Sequence, residues 1–152
     1  MHIIGMAEFE RSSQGDDSFC AVHTTRMVLR HFGHDSMGFF MLGIALRTDE
    51  IEGTLDKEVL RVFRGVGLTA RWKTNLNLFD VGEVLDCEGL FVAATTNDTH
   101  CVVVHGLTPT HVLVADPGYI AGVKINHALP PKTPLKKFLK DWTAGGILVT
   151  KK

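Results

Sequence analysis

Hydrophobic positions in the first third of the chain repeat at helical spacing. Residues 16–18 (DDS) offer caps for a helix that begins near Cys20 and ends at Gly33. A second helical stretch covers residues 39–47, and Thr54 caps a third helix. One buried stripe of the first helix follows the spacing i, i+4, i+7 and i+11 and consists of Ala21, Thr25, Val28 and Phe32.

Beyond Gly67 the pattern changes from helical spacing to short runs rich in β-branched residues, which predict strands. Further helices are short, one within 75–85 and one over 134–142, and the TPT of 108–110 suits a hairpin. Helices therefore come first and an antiparallel sheet follows, which is the α+β order and not that of a doubly wound fold. The predicted strands are LTARW (68–72), LFVAAT (90–95), CVVVHGL (101–107), HVLVAD (111–116), AGVKI (121–125) and GILVT (146–150).

Length and composition indicate one soluble domain over residues 1–152, with 45% hydrophobic and 22% charged residues. A net charge of -1 gives no global attraction to nucleic acid or to an anionic membrane. Neither a signal peptide nor an apolar run long enough to span a bilayer is expected. The three cysteines lack paired spacing, so a cytosolic, reducing compartment is expected.

Four residues carry the candidate chemistry, and their placement predicts a papain-type cysteine hydrolase. Cys20 lies at a helix start, where unpaired backbone N–H groups favour a thiolate. His100 opens one strand and Asp116 ends the next, so a hairpin would bring them together. We expect Asp116 to accept Nδ1–H of His100, leaving Nε2 to face the sulfur. Gln14, six residues before Cys20, is placed to hold an oxyanion together with the Cys20 backbone N–H.

Each of these residues also has a plainer interpretation. A cysteine at a helix start is often structural, and a histidine followed by Asp-Pro-Gly is often a surface residue and a turn. Fragments of metal-ligand sets also occur, but no CxxC pair does, and alternation would place His100 and Cys101 on opposite sheet faces. No metal site and no cofactor are therefore expected. Cys87 and Cys101 are expected to be small buried side chains.

Taken together, these motifs resemble the C39 peptidase family, the papain-like domain of bacteriocin-exporting ABC transporters. The resemblance covers nearly the whole chain in one register. It rests on the six-residue spacing of Gln14 and Cys20, the helix CAVHTTRMVLRHFG, the segment GTLDKEVLRVFRGVGLTARW, the spacing of His100 and Asp116-Pro117, and the closing stretch KKFLKDWTAGGILV.

The resemblance implies a papain-like fold and a cysteine endopeptidase that cleaves leader peptides of bacteriocin or peptide-pheromone precursors after a double-glycine motif. It implies Cys20 as nucleophile, His100 as general base and then acid, Asp116 as the orienting residue and Gln14 as oxyanion donor. Its expected partners are the leader peptide and the membrane and ATPase domains of an ABC transporter. The expected location is the cytoplasm or the cytoplasmic face of the membrane.

The chain departs from the family pattern next to the proposed site. Phe19 and Ala21 replace the Asp and Gly that usually flank the cysteine, and Cys101 replaces an aromatic residue after the histidine. A proline expected before the strand at Leu90 is absent. The chain stops at Lys152, which fits either an excised transporter domain or a free-standing peptidase. Two alternatives remain open: a non-catalytic domain that docks an export substrate, and a papain-fold amidase or acyltransferase acting on another amide.

Overall fold

Three N-terminal helices precede a six-stranded antiparallel sheet in the computed structural model, which describes residues 20–48, 56–95, 100–120, 123–124 and 128–152. The helices are α1 (Cys20–His31), α2 (Phe39–Ala45), α3 (Asp56–Gly65), α4 (Leu78–Asp86) and α5 (Leu135–Asp141). The strands are β1 (Leu68–Lys73), β2 (Leu90–Thr95), β3 (His100–Leu107), β4 (His111–Ala115), β5 (Tyr119–Ile120), β6 (Val123–Lys124), β7 (Lys132–Pro134) and β8 (Trp142–Lys151).

The strand order of the main sheet is β1-β8-β2-β3-β4-β7, and all of its pairs are antiparallel. Strand β8 lies between β1 and β2, so it is an interior strand of the sheet. The expected α+β architecture, with N-terminal helices packed on an antiparallel sheet, is confirmed.

The sheet is buried on both faces, which explains why strands such as β2 and β3 carry apolar residues at consecutive positions and not only at alternate ones. On β2, Leu90 and Val92 face the cluster beneath α1 to α3, whereas Phe91 and Ala93 face a second cluster beneath α4 and α5. Helix α1 is buried around most of its surface, not along one stripe. Its buried residues are Cys20, Val22, His23, Thr24, Thr25, Met27, Val28 and Leu29.

The β3–β4 hairpin positions the candidate site. Its strands pair from Val103 with Ala115 to Leu107 with Val112, with an irregularity at 104–106. This pairing brings the start of β3 next to the end of β4, while α1 packs across the face that includes Val103. Helix α1 and the β3–β4 hairpin, which are distant in sequence, therefore meet at one place.

Candidate functional site

Cys20, His100 and Asp116 come together at the point where α1 meets the hairpin. Cys20 is the first described residue of α1, His100 is the first residue of β3, and Asp116 directly follows β4. The structure thus brings together three of the four residues singled out in the sequence. Gln14, the fourth, and the expected caps at 16–18 lie outside the described residues.

Asp116 is a buried carboxylate with hydrogen-bond donors at both of its oxygens. Its Oδ1 accepts from Nε2–H of His100 at 2.7 Å and from the backbone N–H of Gly118 at 2.8 Å. Its Oδ2 accepts from the backbone N–H of Leu129, also at 2.8 Å. With the residue only 1% exposed, these bonds fix the carboxylate in one orientation and hold the imidazole ring by its distal nitrogen.

The nitrogen of His100 that faces Asp116 is the opposite of the one expected. Nε2, and not Nδ1, bonds the carboxylate, so Nδ1 is the nitrogen left for the Cys20 sulfur. Nε2 bonds the carboxylate because it is the ring nitrogen farther from the backbone and therefore extends to the end of the neighbouring strand. Nδ1 is thus the nitrogen that exchanges a proton with the sulfur.

The two titratable side chains are poised as an ion pair. A hydrogen bond from Cys101 and one from His100, together with the His100 charge, outweigh burial and lower the pKa of Cys20 to about 5. Burial acts to lower the pKa of His100, but hydrogen bonds to Asp116 and Cys20 raise it to about 10. At neutral pH the sulfur is a thiolate and the ring an imidazolium, which is the resting state of an activated nucleophile.

Cys101 is a member of the site that sequence reasoning missed. Its Sγ lies 3.5 Å from Sγ of Cys20 and 3.6 Å from Oγ1 of Thr24. Alternation predicts that His100 and Cys101 lie on opposite sheet faces, yet both interact with the Cys20 sulfur. Strand alternation alone therefore does not decide which side chains reach that sulfur. The one indication of this role in the sequence was that Cys101 replaces the aromatic residue expected directly after His100.

The third cysteine, Cys87, follows α4 and is exposed, so the expectation that it is buried was wrong. Cys87 lies at the polar C-terminal end of an amphipathic helix, where its side chain has no buried core to pack against. Within the described ranges, no group of three or more histidine, cysteine and carboxylate side chains is arranged to hold a metal ion. No helix in the part of the chain that the structure describes is long and apolar enough to cross a bilayer.

The chain has the fold of C39 peptidase domains, and two of the similar solved structures come from ABC transporters. The peptidase domain of Streptococcus ComA, a bifunctional ABC transporter involved in a quorum-sensing pathway, matches with a TM-score of 0.72 at 17% identity, over 95% of this chain and 99% of that one. A double-glycine motif protease from an AMS/PCAT transporter, solved in complex with its leader peptide, matches with a TM-score of 0.71 at 19% identity, over 94% and 91%.

The Streptococcus mutans ComA peptidase domain in complex with a small-molecule inhibitor matches with a TM-score of 0.63 at 18% identity, over 93% of this chain and 99% of that one. No protein-family model matches the sequence. No curated protein matches it significantly. The likeness to these solved domains is therefore one of fold at low sequence identity.

Proposed function

We propose that this chain is a cysteine endopeptidase that removes leader peptides from bacteriocin or peptide-pheromone precursors by cutting after a double-glycine motif. The observation that carries the proposal is the pair formed by Cys20 and His100, with the ring held by the buried Asp116. This pair lies in a fold shared with a double-glycine motif protease that was solved with its leader peptide. The proposed unit is a single peptidase domain that needs no cofactor.

In the proposed reaction, the Cys20 thiolate attacks the carbonyl carbon of the second glycine. Protonated His100 then gives its Nδ1 proton to the leaving amine, and a thioester remains on the sulfur. Water attacks the thioester while Nδ1 takes its proton, and the acid product leaves. Asp116 keeps Nδ1 directed at the sulfur through both steps because it holds Nε2.

The tetrahedral intermediates of both steps need donors for their oxyanion. The backbone N–H of Cys20 and the side-chain amide of Gln14 are the proposed donors, each contributing about 3 kcal/mol of transition-state stabilisation. The support for Gln14 is its six-residue spacing from the nucleophile.

Double-glycine specificity has a physical basis in this proposal. Two residues without side chains pass through a slot too narrow for any other pair, and the leader upstream docks as an amphipathic helix on an apolar patch. The precursor would be presented by the membrane and ATPase domains of an ABC transporter, with the peptidase at the cytoplasmic face. The transporter contexts of the similar domains support this placement.

The test is cleavage of a panel of synthetic leader-core peptides under reducing conditions, with products identified by mass spectrometry. Each peptide is paired with a variant in which both glycines are replaced by valine. Cys20→Ala is compared with Cys87→Ser, which changes an exposed cysteine outside the site. We expect the wild type and Cys87→Ser to cut after the second glycine only, and Cys20→Ala to bind the leader without cutting it.

The outcomes separate the alternatives. Binding without cleavage by the wild type would favour a docking domain, and cleavage by Cys20→Ala would refute the proposed mechanism. Equal turnover of the glycine and valine peptides would remove the double-glycine specificity. Absence of both binding and cleavage would point to a papain-fold amidase or acyltransferase with another amide substrate.

A further inference from the structure

Two cysteine sulfur atoms, 81 residues apart in sequence, lie in contact at the site. The Sγ atoms of Cys20 and Cys101 are 3.5 Å apart, close to the sum of their van der Waals radii. A disulfide requires an S–S distance of about 2.05 Å, so the two atoms need to approach by about 1.5 Å. Cys20 lies on α1 and Cys101 on β3, two elements already packed against each other.

The two thiols are chemically different, as a peroxide-reactive pair requires. Cys20 carries the low pKa described above and is a thiolate at neutral pH. The hydrogen bond to Cys20 and burial raise the pKa of Cys101 well above its ordinary value, so this thiol stays protonated. A thiolate next to a protonated second thiol is the usual arrangement of an attacking and a resolving cysteine.

We propose that Cys20 and Cys101 form a hydroperoxide-reactive dithiol, in which Cys20 is oxidised first and Cys101 resolves it to an intramolecular disulfide. The site is a modification site, and its reactant is hydrogen peroxide or another small hydroperoxide. Its geometric basis is the contact between the two sulfur atoms on packed elements.

The chemistry balances in two steps. The Cys20 thiolate attacks one oxygen of hydrogen peroxide, the O–O bond breaks, and Cys20 becomes a sulfenic acid while His100 gives its proton to the departing hydroxide. Cys101 then attacks the Cys20 sulfur, an S–S bond forms, and the sulfenic oxygen leaves as water with the Cys101 proton. Two thiol sulfurs have lost two electrons in total, and the peroxide has become two molecules of water.

Oxidation of Cys20 also prepares Cys101 for its step. The Cys101 pKa is high because its thiol donates to a neighbouring thiolate, because it is buried, and because it lies close to the negative charges of Cys20 and Asp116. A sulfenic acid at Cys20 is neutral, so the two contributions of Cys20 disappear and Cys101 ionises more readily. Thr24, whose hydroxyl interaction lowers the pKa of Cys101, then favours the new thiolate.

The consequence for activity rests on the proposed function. If Cys20 is the nucleophile, the disulfide removes it from catalysis, and a dithiol reductant restores it. The disulfide also protects Cys20 from further oxidation to sulfinic acid, which thiols do not reverse. Peptide cleavage would thus be switched off reversibly under oxidising conditions.

The test treats the reduced full chain with one equivalent of hydrogen peroxide and follows it by intact mass and non-reducing peptide mapping. We expect the wild type to lose two hydrogen atoms and to yield a linked peptide pair containing Cys20 and Cys101. Cys101→Ser should instead carry one oxygen atom on Cys20, and a second one when the peroxide is in excess. Cys87→Ser, which lacks the exposed third cysteine, should behave as the wild type does.

The wild-type map decides the proposal even if Cys101→Ser folds poorly. Oxygen addition at Cys20 without a link to Cys101, or a link that runs through Cys87, would overturn it. Cleavage assays after treatment with excess peroxide form a separate arm: the oxidised wild type should recover with dithiothreitol, whereas Cys101→Ser oxidised to sulfinic acid should not. A disulfide that forms in a chain without peptidase activity would refute the proposed function and leave the dithiol intact.

Discussion

The Nε2–H group of His100 donates a 2.7 Å hydrogen bond to Oδ1 of Asp116, sixteen residues further along the chain. This bond is made across the open end of the β3–β4 hairpin and determines which ring nitrogen faces Cys20. The same carboxylate accepts backbone N–H groups of Gly118 and Leu129. The orientation of the imidazole therefore depends on a group that is itself held at both oxygens.

Asp116→Asn should lower kcat for leader cleavage by more than about tenfold while leaving residual activity, because the nucleophile and the base remain. It should also lower the free energy of unfolding by about 1–3 kcal/mol. The asparagine amide has one acceptor oxygen, so its NH2 group would face the N–H of either His100 or Leu129. Kinetics and denaturant unfolding measure the two effects.

The control for Asp116→Asn is Asp35→Asn, an equally conservative change at a carboxylate whose side chain is 59% exposed. We expect kcat and stability close to the wild type there. Since Asp116 helps to raise the pKa of His100 above its ordinary value, Asp116→Asn should also move the alkaline limit of activity to lower pH. An unchanged alkaline limit would mean that Asp116 supports the fold without orienting the base.

Activity should depend on pH through the Cys20 and His100 pair. The reactive form has Cys20 deprotonated and His100 protonated, so kcat/KM should fall as pH drops through about 5 and fall again as pH rises through about 10. The rate of Cys20 alkylation by iodoacetamide should show the same acid limit without any substrate. Activity that instead rises toward the ordinary thiol pKa, near 8.5, would contradict a preformed thiolate.

The sequence predicted most of the elements, and the meeting of His100 with Asp116, because periodicity and hairpin pairing are local rules. Strand β2 was predicted from LFVAAT, one of the runs rich in β-branched residues and bounded by turn residues, and its burial on both faces explains why that run is mostly apolar. Strand β7 was missed because it is a three-residue strand at the sheet edge with two exposed residues, and it ends in a proline.

Details of the site could not be predicted because they depend on contacts between different elements. The ring nitrogen that faces Asp116 follows from the reach of the His100 side chain to the end of the neighbouring strand. The contact of Cys101 with Cys20 follows from helix packing, and the bond from Leu129 joins residues thirteen positions apart outside any regular pairing. No pattern of residue types within one element contains that information.

Gly146→Ala should destabilise the fold by about 1–3 kcal/mol or more, because an added Cβ would overlap the Val92 carbonyl oxygen and come within 2.7 Å of the Phe91 ring. Its neighbour Gly145 is a matched control, since a Cβ there would lie in ordinary contact, 3.5 Å from its nearest atom. Thermal or denaturant unfolding of both variants makes the comparison. Equal losses would show that β2 and β8 are not packed as closely as described.

Cys101→Ala should raise the pKa of Cys20 above about 5, because the largest contribution to the low value is the hydrogen bond from the Cys101 thiol. The pH dependence of Cys20 alkylation, followed by mass spectrometry, measures that pKa. In a Cys87→Ser background Cys101→Ala leaves Cys20 as the only cysteine of the chain, so the signal is unambiguous. Cys101→Ser retains a donor at the same position and should keep the pKa of Cys20 closer to that of the parent. If both variants match the parent, His100 alone holds the thiolate and Cys101 serves only as the resolving thiol.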